Sequence, residues 1–156
     1  MQFVEGQTLK TFPRKDRREL ARMARDATRA AAEGFGDVIP RDPQNAPGWR
    51  SRGGVRANRG YQQSLRGGDP WALYEDGLRD LDRAIELDPC NATSRWWRGN
   101  ARFNRGLWRQ HHGGGARAEC EAAIADHREA ARRDASLEAQ MRARIQDCER
   151  RPGGKR

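Results

Sequence analysis

Lysine, cysteine and long apolar runs are all scarce in this chain of 156 residues. Lysine occurs only at positions 10, 15 and 155, so 28 of the 31 basic residues are arginine. No run approaches the roughly 20 apolar residues that cross a bilayer, and the N-terminus lacks an apolar signal core. Hydrophobic residues make up only 35% of the chain, which disfavours a deep single core. We therefore expect a cytoplasmic protein with a shallow core.

Motifs for chemistry are missing as well. The three cysteines, Cys90, Cys120 and Cys148, have no paired C-x-x-C spacing for zinc or redox work. The three histidines do not form the i, i+4 pair that holds a metal on a helix. No nucleophile elbow, phosphate-binding loop or zinc-protease motif occurs. We expect a protein that is not an enzyme and that needs no metal or cofactor.

An internal repeat is the main feature of the sequence. Segment 42–46 (DPQNA) recurs as segment 88–92 (DPCNA) after 46 residues, and a weaker copy begins at Asp134. The same offset relates Gly53 to Gly99. A period of this size indicates stacked supersecondary units, none of which can bury its apolar face alone.

Each unit contains two helical patterns. The second is clearer, because its apolar and small residues recur at spacings of three and four, as one buried stripe requires. Asp69 and Pro70 begin this helix and Pro89 ends it, while glycines at 67–68 and 113–115 provide the turns. We predict helices over 14–33, 47–66, 70–88, 92–112, 115–133 and 136–150.

The second helix carries a family resemblance. Counting back from Pro89, we find Ala84, Leu81 and Gly77 at the alanine, large apolar and small places of a tetratricopeptide (TPR) repeat. In the first helix, Trp49 and Gly53 occupy the family's tryptophan and glycine places. The chain resembles a TPR protein over about residues 35–150, with each helix lengthened by about six residues relative to the family's repeat of about 34.

The resemblance implies an all-α, right-handed αα-hairpin solenoid of about two full repeats with half-repeat capping helices. Residues 13–150 would form this single domain, between a flexible N-terminal tail at 1–12 and a basic C-terminal tail at 151–156. The third unit is degenerate, because His127 stands at the large apolar place and Ala135 replaces the proline. Ser136 is the expected cap of the last helix.

Basic and acidic residues are segregated between the two kinds of helix. From Pro43 to Gly68 there are five arginines and no acid, and from Pro89 to Ala118 there are six arginines and no acid. The acids lie in the second helices. Because first helices line the concave face of a TPR stack, the resemblance implies a positive groove.

Two interpretations of this segregation remain open. First-helix arginines could pair with second-helix acids and brace the scaffold, or their excess charge could attract an acidic ligand into the groove. A general preference for arginine over lysine would also explain the low lysine count without any function.

The family's groove-facing places identify candidate peptide-binding residues. Asparagine can bond an extended backbone, arginine can fork onto a carboxylate, and tryptophan or phenylalanine offers a flat apolar surface. Thr93 and Gln146 occupy further places of this kind. The candidates are Asn45, Arg50, Asn58, Asn91, Trp96, Asn100, Phe103, Asn104 and Arg142.

We therefore expect a protein–protein interaction module that binds an acidic or extended peptide segment of a partner protein. An Arg-rich nucleic-acid-binding repeat protein is the alternative, since arginine with aromatics also suits phosphates and stacked bases. A third interpretation is a scaffold that self-associates through its incomplete end units. No membrane partner is expected.

Overall fold

A computed structural model describes Gly34 and residues 38–150, except the side chains of Gln140 and Glu149. The predicted helix at 14–33 and the predicted tails at 1–12 and 151–156 lie outside these residues. Residues 38–41 form a helical turn, and Ile39 is buried there, as is Ile85 one repeat later. Five further helices follow, named α1 (Ala46–Ser64), α2 (Trp71–Leu87), α3 (Ala92–His111), α4 (Arg117–Arg133) and α5 (Glu138–Glu149).

The fold is all-α, and no strand occurs among the described residues. Each of the five helices lies within two residues of its predicted ends, so the helical part of the sequence interpretation is confirmed. The largest contacts join α1 to α2 and α3 to α4, which makes two antiparallel hairpins. The second hairpin packs on the first through α3, and α5 packs on α4.

The repeated DPxNA segment positions the first helix of each hairpin. The side chain of Asn45 accepts a hydrogen bond from the Gly48 amide at 2.7 Å, and that of Asn91 accepts one from the Ser94 amide at 2.9 Å. Each bond satisfies an amide that the first turn of a helix would otherwise leave unpaired.

The two hairpin turns also repeat. Gly67 and Gly113 have φ angles of 76° and 83°, in the left-handed region that glycine tolerates best. The following glycines, Gly68 and Gly114, donate their amides to carbonyls of the preceding helix turn, at 3.1 and 2.8 Å. The 46-residue period is thus a repeat of the structure as well as of the sequence.

Among the described residues, two small apolar clusters form between the helices. One joins Ala57, Leu78, Leu81 and Ala101, with Trp97 packed against it. The other joins Phe103, Cys120, Ala123 and Cys148, with Leu107 and Ile124 at its edge. Neither cluster is large, in agreement with the low apolar content of the chain.

The last helix departs from the repeat. The prediction that Ser136 caps it is wrong, because Asp134 accepts from the Ser136 amide and Ala135–Leu137 form a 3₁₀ turn before α5. A 3₁₀ turn has about 3.0 residues per turn instead of 3.6, so it changes the rotation at which the next helix begins. By the 46-residue repeat, Asp147 corresponds to the buried Ala101. In α5, however, the buried residue is the next one, Cys148.

Close helix contacts depend on glycine in both hairpins. A Cβ on Gly53 would lie 2.8 Å from the Gly77 carbonyl oxygen and from Leu81, and one on Gly99 would overlap the imidazole of His127. We predict that Gly53→Leu and Gly99→Leu each destabilise the protein by about 1–3 kcal/mol through overpacking. Thermal melts measure this, with Gly115→Ala as the control because its Cβ would meet nothing within 4 Å. Parent-like melting of both leucine variants would contradict the helix pairing.

Candidate peptide-binding face

A buried carboxylate joins the two helices of the first hairpin. Asp80 on α2 is only 2% exposed and accepts three hydrogen bonds from α1. Arg52 binds both of its oxygens through Nε and Nη2, and Arg56 adds a third bond through Nη1, each at 2.7 Å. The hydrogen bond to Asp80 raises the pKa of Arg52 above its ordinary value. The Arg52–Asp80 pair is bidentate, the strong geometry for arginine.

The second hairpin repeats this arrangement after 46 residues. Asp126 on α4 is 3% exposed and accepts two bonds from Arg98, at 2.9 and 2.5 Å, and one from Arg102, at 2.7 Å. Burial alone would lower the pKa of Arg98, but its bonds to Asp126 and Asp82 raise it overall. One aspartate and two arginines thus brace each hairpin.

Two arginines of α3 also connect the hairpins to each other. Arg98 reaches back to Asp82 on α2 at 2.8 Å, while it holds Asp126 on α4. Arg105 bridges Glu75 on α2 at 2.6 Å and Glu119 on α4 at 2.8 Å. Much of the positive charge of α3 is therefore neutralised within the stack, as the bracing interpretation of the charge segregation requires.

Two of the nine candidate residues have structural duties. Asn45 and Asn91 cap α1 and α3, so their side-chain oxygens are already bonded to helix amides. Phe103 is only 1% exposed in the second core cluster, with the Arg144 guanidinium 4.8 Å from its ring centroid. The expectation that Phe103 lies open in the groove was wrong, because the stack of α3, α4 and α5 closes over its ring.

Five candidates form a more open row along the first helices. Trp96, Asn100 and Asn104 follow one another at i, i+4 and i+8, so they share one face of α3. On α1, Arg50 and Asn58 occupy the places of Trp96 and Asn104 one repeat earlier. Asn58 is exposed and the other four are half-buried. No hydrogen bond joins the amides of Asn58, Asn100 or Asn104 to another described residue.

The position of Trp96 in this row is fixed by its neighbour. The Trp97 ring lies on Gly54 of α1, where a Cβ would be 3.3 Å from the indole. Trp96 then packs edge-on against Trp97, with 5.0 Å between ring centroids. A tryptophan that is already held in place can receive a ligand without losing side-chain freedom.

Arg142, the last candidate, lies apart from the row, on α5. Its guanidinium is 66% exposed and pairs with Glu138 at 2.8 Å on the same helix. It lines an open cavity of about 560 Å³ between α4 and α5, together with Gln146. Arg128 and Arg132 of α4 line the same cavity, and the sequence prediction did not include them. Their departure from the repeat was the available signal, since Asp82 and Glu86 occupy their places one unit earlier.

An aromatic edge was also missed. Trp71 is 37% exposed at the start of α2 and lies 6.2 Å from Trp108 between ring centroids. The guanidiniums of Arg105 and Arg109 lie 5.3 and 5.8 Å from the centre of the Trp71 ring. The repeat could not predict this cluster, because Trp71 and Trp108 correspond to Arg117 and Gln62 in the other unit.

Metal and membrane sites find no support in the described part of the chain. No group of three histidine, cysteine or acidic side chains there could hold a metal ion. None of the helices described is both long and apolar enough to cross a membrane. Comparison of the chain with protein-family models and with curated proteins gives no match.

Removal of a buried carboxylate should be costly in both hairpins. We predict that Asp80→Ala and Asp126→Ala each lower the free energy of unfolding by about 3 kcal/mol, because each leaves two arginines without their shared partner. Asp76→Ala, which removes an exposed pair with Arg79, should cost less than about 0.5 kcal/mol. Urea denaturation measures all three. Equal, small losses would show that the buried pairs do not brace the stack.

The buried His127 should make stability depend on pH. Burial lowers the pKa of its imidazole to about 4; the charge of Asp126 raises the pKa by a smaller amount, and the charge of Arg144 lowers it further. The imidazole is therefore protonated near pH 6.5 in the unfolded state, but only near pH 4 in the folded state. Stability from this group is complete above pH 6.5 and is lost as the pH falls.

Between pH 7.5 and 5 we expect a loss of about 2 kcal/mol in the unfolding free energy from His127 alone. His127→Leu, which copies Leu81 of the first hairpin, should remove that part of the pH dependence. Urea titrations at both pH values measure the difference. An equal loss in the parent and in His127→Leu would contradict the assignment of a neutral, buried imidazole.

Proposed function

We propose that the chain is a non-enzymatic protein–protein interaction module, a TPR-like scaffold that binds an extended, acidic segment of a partner protein. The row of Arg50, Asn58, Trp96, Asn100 and Asn104 on the first helices is the site. The observation that carries the proposal is the set of amides in this row that no described residue uses, beside an indole already held in place.

The spacing of the amides matches an extended peptide. Asn100 and Asn104 are four residues apart, which is a rise of about 6 Å along a helix. An extended chain presents the same side every two residues, or about 6.6 Å. Each amide can donate to a backbone carbonyl and accept from a backbone N–H. Two peptide groups of one strand that lie two residues apart could therefore bond to this pair of side chains.

The bracing of α3 favours binding at this face. Arg98, Arg102 and Arg105 lie on the same helix and are bonded to carboxylates of α2 and α4. A helix held in this way presents its open side with little further loss of freedom, and such preorganisation increases affinity. The ion pairs thus support ligand binding by fixing the row, even though their own charges are used within the stack.

The charge of the protein selects among ligands. A net charge of +9 attracts acidic segments over a distance and speeds their encounter with the face. Arg50 is the cation of the row and can fork onto a carboxylate of the bound segment. We propose a cytoplasmic location, where thiols stay reduced, because no disulfide joins Cys90, Cys120 or Cys148.

A phage-displayed random peptide library tests the proposal. The parent protein should enrich acidic peptides that Asn100→Ala and Arg50→Glu bind about tenfold more weakly, since each loses a hydrogen bond to the ligand. Arg79→Glu, on the outer side of α2, is the matched control and should bind like the parent. Circular dichroism should show unchanged helicity and melting for Asn100→Ala and Arg50→Glu.

Two results would contradict the proposal. Equal losses from Arg50→Glu and Arg79→Glu, together with retention of a single-stranded oligonucleotide, would indicate diffuse binding to nucleic acid. If the library yields no peptide whose binding depends on Asn100, the proposed binding face on α3 is contradicted.

A further inference from the structure

The cavity between α4 and α5 combines an apolar floor with a basic rim. Ala131, Met141 and Ile145 contribute apolar surface, and Arg128, Arg132 and Arg142 contribute three guanidiniums. Glu138 is the one acid among the lining residues. A volume of about 560 Å³ lies within the usual range of about 300–1,000 Å³ for ligand sites. It suits a few side chains of a bound segment.

The basic rim is specific to the end of the stack. One repeat earlier, the places of Arg128 and Arg132 are taken by Asp82 and Glu86. Asp82 there pairs with Arg98 of the following helix, so an acid and an arginine neutralise each other between these two helices. In the last unit both acids are replaced by arginine, and the surface between second helix and first helix becomes basic and open.

The guanidiniums of this rim can be redirected to a ligand, unlike those of α3. Arg98 is 16% exposed and holds two carboxylates of other helices, one of them buried. Arg132 and Arg142 are 72% and 66% exposed, and each pairs with an exposed or half-buried glutamate of its own helix. Exposed pairs of this kind contribute little to stability, so exchange for a ligand carboxylate costs little.

We propose that this cavity is a second subsite of the interaction module and binds an acidic, aliphatic stretch of the partner segment. An aliphatic side chain would lie on Ala131 and Ile145, while flanking carboxylates bond to Arg132 and Arg142. The proposal rests on the proposed function, because it assigns the acidic part of the partner to the end of the stack. Charge complementarity identifies the occupant, since three arginines against one lining glutamate attract carboxylates and repel a basic segment.

A direct test uses a fluorescein-labelled peptide in which leucine and glutamate alternate, and a second peptide with glutamine in place of glutamate. Fluorescence polarisation with the full chain should show binding of the acidic peptide only. Arg142→Gln and Ile145→Asp should each weaken it about tenfold, the first by loss of a charged bond and the second by a carboxylate in the floor. The control is Arg117→Gln, which removes an equally exposed pair at the other end of α4.

The outcomes separate this site from the row on α3. Loss of affinity in Arg142→Gln with none in Arg117→Gln supports the cavity. If Asn100→Ala weakens the acidic peptide and Arg142→Gln does not, the row binds the acids alone and the inference is overturned while the proposed function stands. Equal binding of both peptides overturns it as well. So does a dimer in sedimentation velocity that Ile145→Asp dissociates, because a second copy would then occupy the cavity.

Discussion

A buried aspartate shared by two arginines is the interaction on which the rest of the structure depends. Asp80 and Asp126 each join the two helices of a hairpin, and Arg98 carries the connection on to the next hairpin. A buried pair is worth little beside an apolar core, but loss of one partner is expensive. Where the described helices share only small apolar clusters, such pairs fix the register of the helices, because each carboxylate has its partners in only one alignment.

This constraint explains why charge and function are distributed as they are. The arginines of the first helices fall into two groups. Those that face a second helix are neutralised by its acids. Those on the open side or at the end of the stack are more exposed and can pair with other partners. Arg98 and Arg142 illustrate the two kinds, one 16% and the other 66% exposed. The sequence total of +9 therefore overstates how basic the open side of α3 is, because several arginines of that helix are paired within the stack.

Most of the helix positions were predictable, because each repeat contains residues that end helices and form turns. Pro89 marks an end and Gly67 a turn by chemistry that acts locally, so the helix ends could be placed to within two residues. The rotation of α5 could not be predicted, since it follows from a 3₁₀ turn that appears where the proline motif is lost.

The candidate site was predictable only in part. Asn100 and Asn104 lie on the open side as their spacing required, whereas the burial of Phe103 depends on α5, a helix more than thirty residues away in sequence. The basic rim of the cavity was visible in the sequence as two replaced acids, Arg128 and Arg132. Its meaning required the structure, because only the packing of α4 on α5 places these residues beside Arg142.

A double-mutant cycle tests most directly whether buried ion pairs brace the stack. Arg98 and Asp126 would be replaced by alanine singly and together, and the free energy of unfolding measured in urea. The same cycle on Arg142 and Glu138 provides the exposed reference. We predict a coupling of about 2–3 kcal/mol for the buried pair and less than about 0.5 kcal/mol for the exposed one. Equal couplings would contradict the account, because the arginines of the first helices would then not be committed to the scaffold.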